Sequence, residues 1–163
     1  MSTWFNNPEK LAKLRLVADQ WQGTPFMPNA AVKGAGVSCQ KLVGAIYVEL
    51  DFLPADFSVP EGAMDWSNAN QKSVIAAFME TLPQFETLPA TIAPQPGDMV
   101  GFKLGGCVHH CGLVVAADGK FIHCLRGGGV LFSSLRDASY LKRIEKIWRP
   151  IVGGRPQGPE VLP

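Results

Sequence analysis

The sequence predicts an α+β domain, with helices first and an antiparallel sheet second. Three observations carry this. Apolar residues recur at helical spacing over residues 8–21 and 39–50. Four prolines, Pro83, Pro89, Pro94 and Pro96, then rule out a regular helix. Beyond them the chain divides into short β-prone runs separated by glycine and Asp-Gly. The 163 residues, 47% apolar and 18% charged, suit one globular domain with a substantial core. That domain is expected over residues 1–150. The Gly- and Pro-rich end, 151–163, reads as a disordered tail.

The elements follow in order. Asn7 can cap a helix whose first turn admits Pro8, and Leu11, Leu14, Val17 and Trp21 form its apolar stripe. Residues 27–38, with Pro28, Gly34 and Gly36, read as a loop. The second helix buries Leu42, Val43, Ile46, Tyr47 and Leu50. Residues 51–64 look irregular, and a third helix is expected from about 66 to 81. Strands are expected at Met99–Phe102, Gly112–Ala116, Lys120–Cys124, Gly129–Phe132 and Arg143–Trp148. Asp118-Gly119 is read as the turn of a hairpin. Trp4, Trp21, Trp66 and Trp148 are scattered and are read as packing residues.

The composition narrows the function classes. A net charge of +1 provides no field for nucleic acid or an anionic membrane surface. No apolar run approaches the roughly 20 residues that span a bilayer. The opening MSTWFNNPEKLAKLRL does not read as a secretory signal, so synthesis in the cytoplasm is expected. In such a compartment Cys39, Cys107, Cys111 and Cys124 read as free thiols, a metal site or one reactive thiol.

Chemistry is possible at two places. Cys39 stands where Gly34-Ala-Gly-Val-Ser becomes a helix. There the dipole and the free backbone N–H groups favour a thiolate and can hold an oxyanion. It also falls on the buried stripe, as a small core residue would. The three histidines, His109, His110 and His123, lie on the two sides of the predicted hairpin. A turn at Asp118-Gly119 sets Val114 opposite His123. His110 then shares the face of His123, and His109 takes the other. This pairing leaves His110 about 13 Å of strand from its partner, so contact needs a shifted register, strong twist or a bulge such as Gly112. A thiol and two imidazoles have the composition of nucleophile, base and orienting group. Cys107, His109, His110, Cys111, His123 and Cys124 are also zinc-type ligands. Their spacing is not that of a finger or ribbon, and alternation scatters them over two faces.

These stretches resemble the NlpC-type cell-wall peptidases, a papain-like family of cysteine peptidases. The matching pieces are Gly23-Thr-Pro-Phe26, Gly34-Ala-Gly-Val-Ser-Cys39, Pro96-Gly-Asp98, His110-Cys-Gly-Leu113 and Gly119-Lys-Phe-Ile-His123. They occur in the family's order and cover about residues 10–149. The loop Val32-Lys-Gly-Ala-Gly-Val and the His109-His110 pair resemble the phage-encoded, tail-associated branch. The resemblance implies a papain-like α+β core with the nucleophile helix packed on an antiparallel sheet. It implies Cys39 as nucleophile, His110 as base and His123 as third polar residue, with no cofactor and no metal. Ser38, Phe26 and His109 fall at oxyanion or substrate-binding positions, and the N–H groups of residues 38 and 39 would hold the oxyanion.

The implied reaction is hydrolysis of an amide in the peptidoglycan stem peptide, between D-γ-glutamyl and a diamino acid. The implied partners are that peptide and phage tail proteins, with action at the cell wall, as in a virion. Two positions depart from the family pattern: Ser38 replaces Asp and Phe26 replaces Tyr. They motivate a second reading, a tail-assembly or wall-binding module with little catalysis. A third is another amidase or acyltransferase with the same triad. Arg126 reads as an exposed loop charge, with contact to a substrate carboxylate as the alternative.

Overall fold

The structure is a computed structural model that describes residues 2–59 and 74–155. The chain begins with helix α1 (Pro8–Trp21), capped by Asn7, whose side chain accepts from the Lys10 amide. A two-residue hairpin follows, β1 (Ala31–Val32) and β2 (Gly36–Val37), inside the stretch read as loop. Helix α2 (Cys39–Glu49) and helix α3 (Val74–Glu80) complete the first half. The expected third helix is thus seen from Val74; its earlier part, with Trp66, lies outside the described residues. Strands β3 (Phe85–Pro89), β4 (Met99–Leu104), β5 (Cys107–Val114), β6 (Lys120–Leu125), β7 (Gly129–Ser134) and β8 (Ile144–Pro150) form one sheet, with the short helix α4 (Ala138–Leu141) before β8. The sheet order is β3-β8-β4-β5-β6-β7, and every pairing is antiparallel.

β3 was not legible in the sequence, because prolines obscure it. Pro89 stands at its last position on an edge strand, where a missing N–H costs no ladder bond. Part of the end that the sequence reads as a disordered tail, residues 151–155, is bonded to the domain. Ile151 bridges Thr3, the Val152 amide donates to Ser2, and the Arg155 guanidinium donates to the carbonyls of Glu80 and Leu82. Residues 151–155 are therefore held in place by hydrogen bonds.

Two apolar clusters lie on the two faces of the sheet. The larger joins α1 and α2 to Met99, Cys111, Leu113, Ile122, Cys124 and Trp148. The smaller holds Val100, Phe102, Val114, Phe121 and Ile147, with Tyr140 packed against it. Asp98, fully buried, receives both Nε (3.0 Å) and Nη2 (2.7 Å) of Arg149. Burial pushes its carboxyl up, while Arg149 and the Gln95 amide draw it back. Gly97 has a φ of +94°, and the Phe5 ring fills the place a Cβ would need. Pro96-Gly-Asp98 thus fixes the start of β4 by packing and ion pairing.

The β5–β6 hairpin corrects the predicted register. Val114 pairs with Phe121 and Leu113 with Ile122, two residues away from the expected Val114–His123 pairing. Asp118-Gly119 is not a two-residue loop. The turn runs from Ala116 to Gly119, closed by the Gly119 amide on the Ala116 carbonyl. Only Gly119 of the pair has a positive φ (+91°), whereas a two-residue type I′ loop requires one at both positions. A slip of two preserves the face of every side chain, so His110 and His123 still share one. It also shortens their strand separation to about 7 Å. The irregularity falls at His109, where β5 shifts register against β4, rather than at Gly112.

Candidate active site

The loop before α2 is held by the first matching stretch. Thr24, 1% exposed, accepts the Gly34 amide on Oγ1 (3.0 Å). Its carbonyl accepts the Val130 amide, and the Gly23 amide donates to Val130. Residues 23–26 are thereby clamped between β7 and the Gly34 loop. Phe26 forms a parallel bridge to Val37, and the Val37 amide donates to Pro25. Val37 leads through Ser38 into α2, which presents Cys39 at its first turn.

Three thiols converge beneath that turn. The Cys111 thiol donates to the Cys39 carbonyl (3.6 Å), and the Cys124 thiol donates to the Val37 carbonyl (3.3 Å). The Cys39 thiol is held well below the ordinary thiol range. The main cause is a hydrogen bond from the Cys111 thiol. Burial opposes it, and a hydrogen bond and positive charge from His110 add to the lowering. Cys111 is pushed the other way by that same bond and by burial. Burial also raises Cys124, to about 11. One thiol of the three is thus set to ionise, the one at the helix N-terminus. Cys111 therefore bears on the state of Cys39, a part that its place in the sequence does not announce.

The two histidines meet. His110 Nε2 lies 2.9 Å from His123 Nδ1, and His123 Nε2 lies 2.8 Å from Ser133 Oγ. Pairing of β5 with β6 stops at Leu113 and Ile122, so the strands part at the histidines. His123 is fully buried, and desolvation, then the charge of His110, lowers it to about 3. A neutral His123 carries one ring proton. With Nε2–H donated to Ser133, Nδ1 accepts from His110 Nε2–H, which leaves His110 Nδ1 free toward the thiol. The rings are boxed by aromatics: Phe102 stacks on His110 (5.7 Å), while Phe121 (4.6 Å) and Tyr140 (5.4 Å) pack against His123. Gly112 makes room, since a Cβ there would come within 2.7 Å of the Phe121 ring.

Sequence reasoning missed Ser133, although its signal was present. The glycines at 127–129 centre a hairpin that pairs His123 with Leu131 and Phe121 with Ser133. Ser133 is then the diagonal neighbour of His123 on the same face.

The oxyanion expectation is half corrected. The Ser38 amide donates to the Ala30 carbonyl (3.2 Å), so it is not available to a substrate. The Cys39 amide, at the first helical position, has no intrahelical acceptor, and the Ser38 side chain makes no capping bond. Phe26, Ser38 and His109 all line the cleft of about 770 Å³ that contains Cys39 and His110. Lys41, Arg126 and Arg143 also line it, and no carboxylate does among the described residues. Arg126 is exposed, as a loop charge would be, and its guanidinium stands 5.8 Å from the Phe26 ring. The zinc-type ligands are divided: Cys111 and Cys124 face α2, whereas His110 and His123 contact the aromatics of the smaller cluster.

No family model matches the sequence, and no curated protein does. Solved structures do match. The NlpC/p60 domain of the peptidoglycan hydrolase SagA aligns with a TM-score of 0.54 at 14% identity, covering 86% of this chain and 98% of that one. A protein similar to a lipoprotein of the NLP/P60 family, from Staphylococcus aureus, aligns with a TM-score of 0.59 at 17% identity, covering 93% of this chain and 44% of that one. The chain therefore has the papain-like α+β fold of NlpC/p60 domains.

Proposed function

We propose that the protein is a cysteine peptidase that hydrolyses an amide of the peptidoglycan stem peptide, between D-γ-glutamyl and a diamino acid. One observation carries the reading: a thiol held below its ordinary range stands beside His110, which is tied in sequence to His123 and Ser133. The Cys39 thiolate attacks the amide carbonyl, and the electron pair moves to oxygen. His110 gives its proton to the leaving amine, then takes one from the water that clears the thioester. His123 keeps His110 oriented without becoming charged. Action on peptidoglycan is supported by the names of the structural neighbours, and the phage-tail setting by the Val32–Val37 loop and the His109-His110 pair.

The cationic rim fits this substrate class. A γ-glutamyl amide leaves its α-carboxylate free, and Lys41, Arg126 and Arg143 line the cleft without a carboxylate among its described lining. The test is hydrolysis of a γ-D-glutamyl-diamino acid peptide by the wild type and Cys39→Ala. Release of the free amine by the wild type, lost in a folded Cys39→Ala, is expected. Binding without turnover in the wild type would favour the wall-binding or assembly module, for which the occupied Ser38 amide and the Phe26 ring argue. Turnover of simple esters but not of the peptide would favour another acyl transfer.

A further inference from the structure

An acyl transfer through a thiolate needs donors where the carbonyl oxygen becomes an anion, and one backbone N–H is a weak complement. The Ser38 amide is committed to Ala30 (3.2 Å), and Phe26 has no hydroxyl to offer. The Cys39 amide remains. Gln40 is the next residue, half-buried, in the lining of the same cleft. Its Oε1 lies 3.2 Å from the Cys39 sulfur and accepts the S–H. Side chains at adjacent helical positions ordinarily diverge, so this approach is specific to the first turn.

We propose that the Gln40 carboxamide is the second oxyanion donor of this site, an inference that rests on the acyl-transfer reading above. The group suits both states of the thiol. While the sulfur is protonated, Oε1 accepts from S–H. Once the proton has gone to His110, a half-turn of the amide brings Nε2–H to the same place. As the C–S bond forms, the C=O π pair moves to oxygen, two bonds from the sulfur. Nε2–H and the Cys39 N–H then donate to that oxygen. When the oxyanion collapses, the C–N bond breaks and the amine leaves with the proton from His110. Gln40 neither gains nor loses a proton. The amide thereby stands in for the donor consumed at Ser38.

The experiment compares two reactions of one sulfur in the intact chain. Acylation of Cys39 by p-nitrophenyl acetate passes through an oxyanion; alkylation by iodoacetamide does not. Both rates would be followed by mass spectrometry in the wild type, Gln40→Met and Gln40→Ala. Acylation is expected to fall about 10²-fold in both variants, with alkylation within about twofold of wild type. A wild-type Cys39 that acylates faster than Cys107, with variants that match it, overturns the Gln40 role alone. Equal falls in acylation and alkylation overturn it too, because they assign Gln40 to the state of the thiol. A wild-type Cys39 acylated no faster than Cys107 overturns the acyl-transfer reading, and the Gln40 role with it.

Discussion

His123 shows how a residue acquires its role from its surroundings. It is fully buried, against Phe121 and Tyr140, and both ring nitrogens are engaged. Desolvation, with the charge of His110, lowers it from 6.5 to about 3. The unfolded chain therefore binds a proton between about pH 6.5 and 3 that the folded chain refuses. The stability contribution is complete above pH 6.5 and is lost as the pH falls through that window. Urea unfolding is expected to weaken by up to about 1.4 kcal/mol per pH unit there from this group. His123→Asn should flatten that slope. Of this site, Cys39 and the two histidines were legible in the sequence as residue types. Ser133 and Gln40 were not, because serine and glutamine carry no chemical signature until a register or a helix start sets them beside a partner.

The hairpin shows where element-level reading succeeds and fails. The alternation of β5 and β6 places His110 and His123 on one face, and a slip of two residues does not change that. The turn geometry decides the distance between them, and Asp-Gly admits more than one turn. Gly112 is the element's second constraint. A Cβ there would lie 2.7 Å from the Phe121 ring and 3.1 Å from the Ile122 carbonyl, and backbone cannot yield as a flexible side chain does. Gly112→Ala is expected to cost about 1–3 kcal/mol in urea unfolding. It should also lower kcat on the stem peptide, since Phe121 supports the ring of His123. Unchanged kcat in a destabilised variant would show that the two are separate. The α1 stripe, by contrast, was read to its ends, because Asn7, Pro8 and Gly23 mark them locally.

At the scale of the whole molecule, the helices and the sheet serve one arrangement. The clamp of Thr24 on Gly34 and the bond from Ser38 to Ala30 bring the chain into α2. The packing of α2 on β5 and β6 sets Cys39 above Cys111, where the strands part to admit His110. The resemblance carried by the matching stretches implied the packing of α2 on an antiparallel sheet, as found. It did not imply β3, whose place at the edge follows from pairing with β8, 57 to 65 residues along the chain. The central claim is that this architecture yields one activated thiol. Its most direct test is the pH dependence of iodoacetamide alkylation at each cysteine, read by mass spectrometry, in the wild type and His110→Ala. The account predicts that Cys39 is labelled first and well below pH 8, and that His110→Ala moves its profile to higher pH. A Cys39 labelled no faster than Cys107, or a profile that His110→Ala leaves in place, would contradict it.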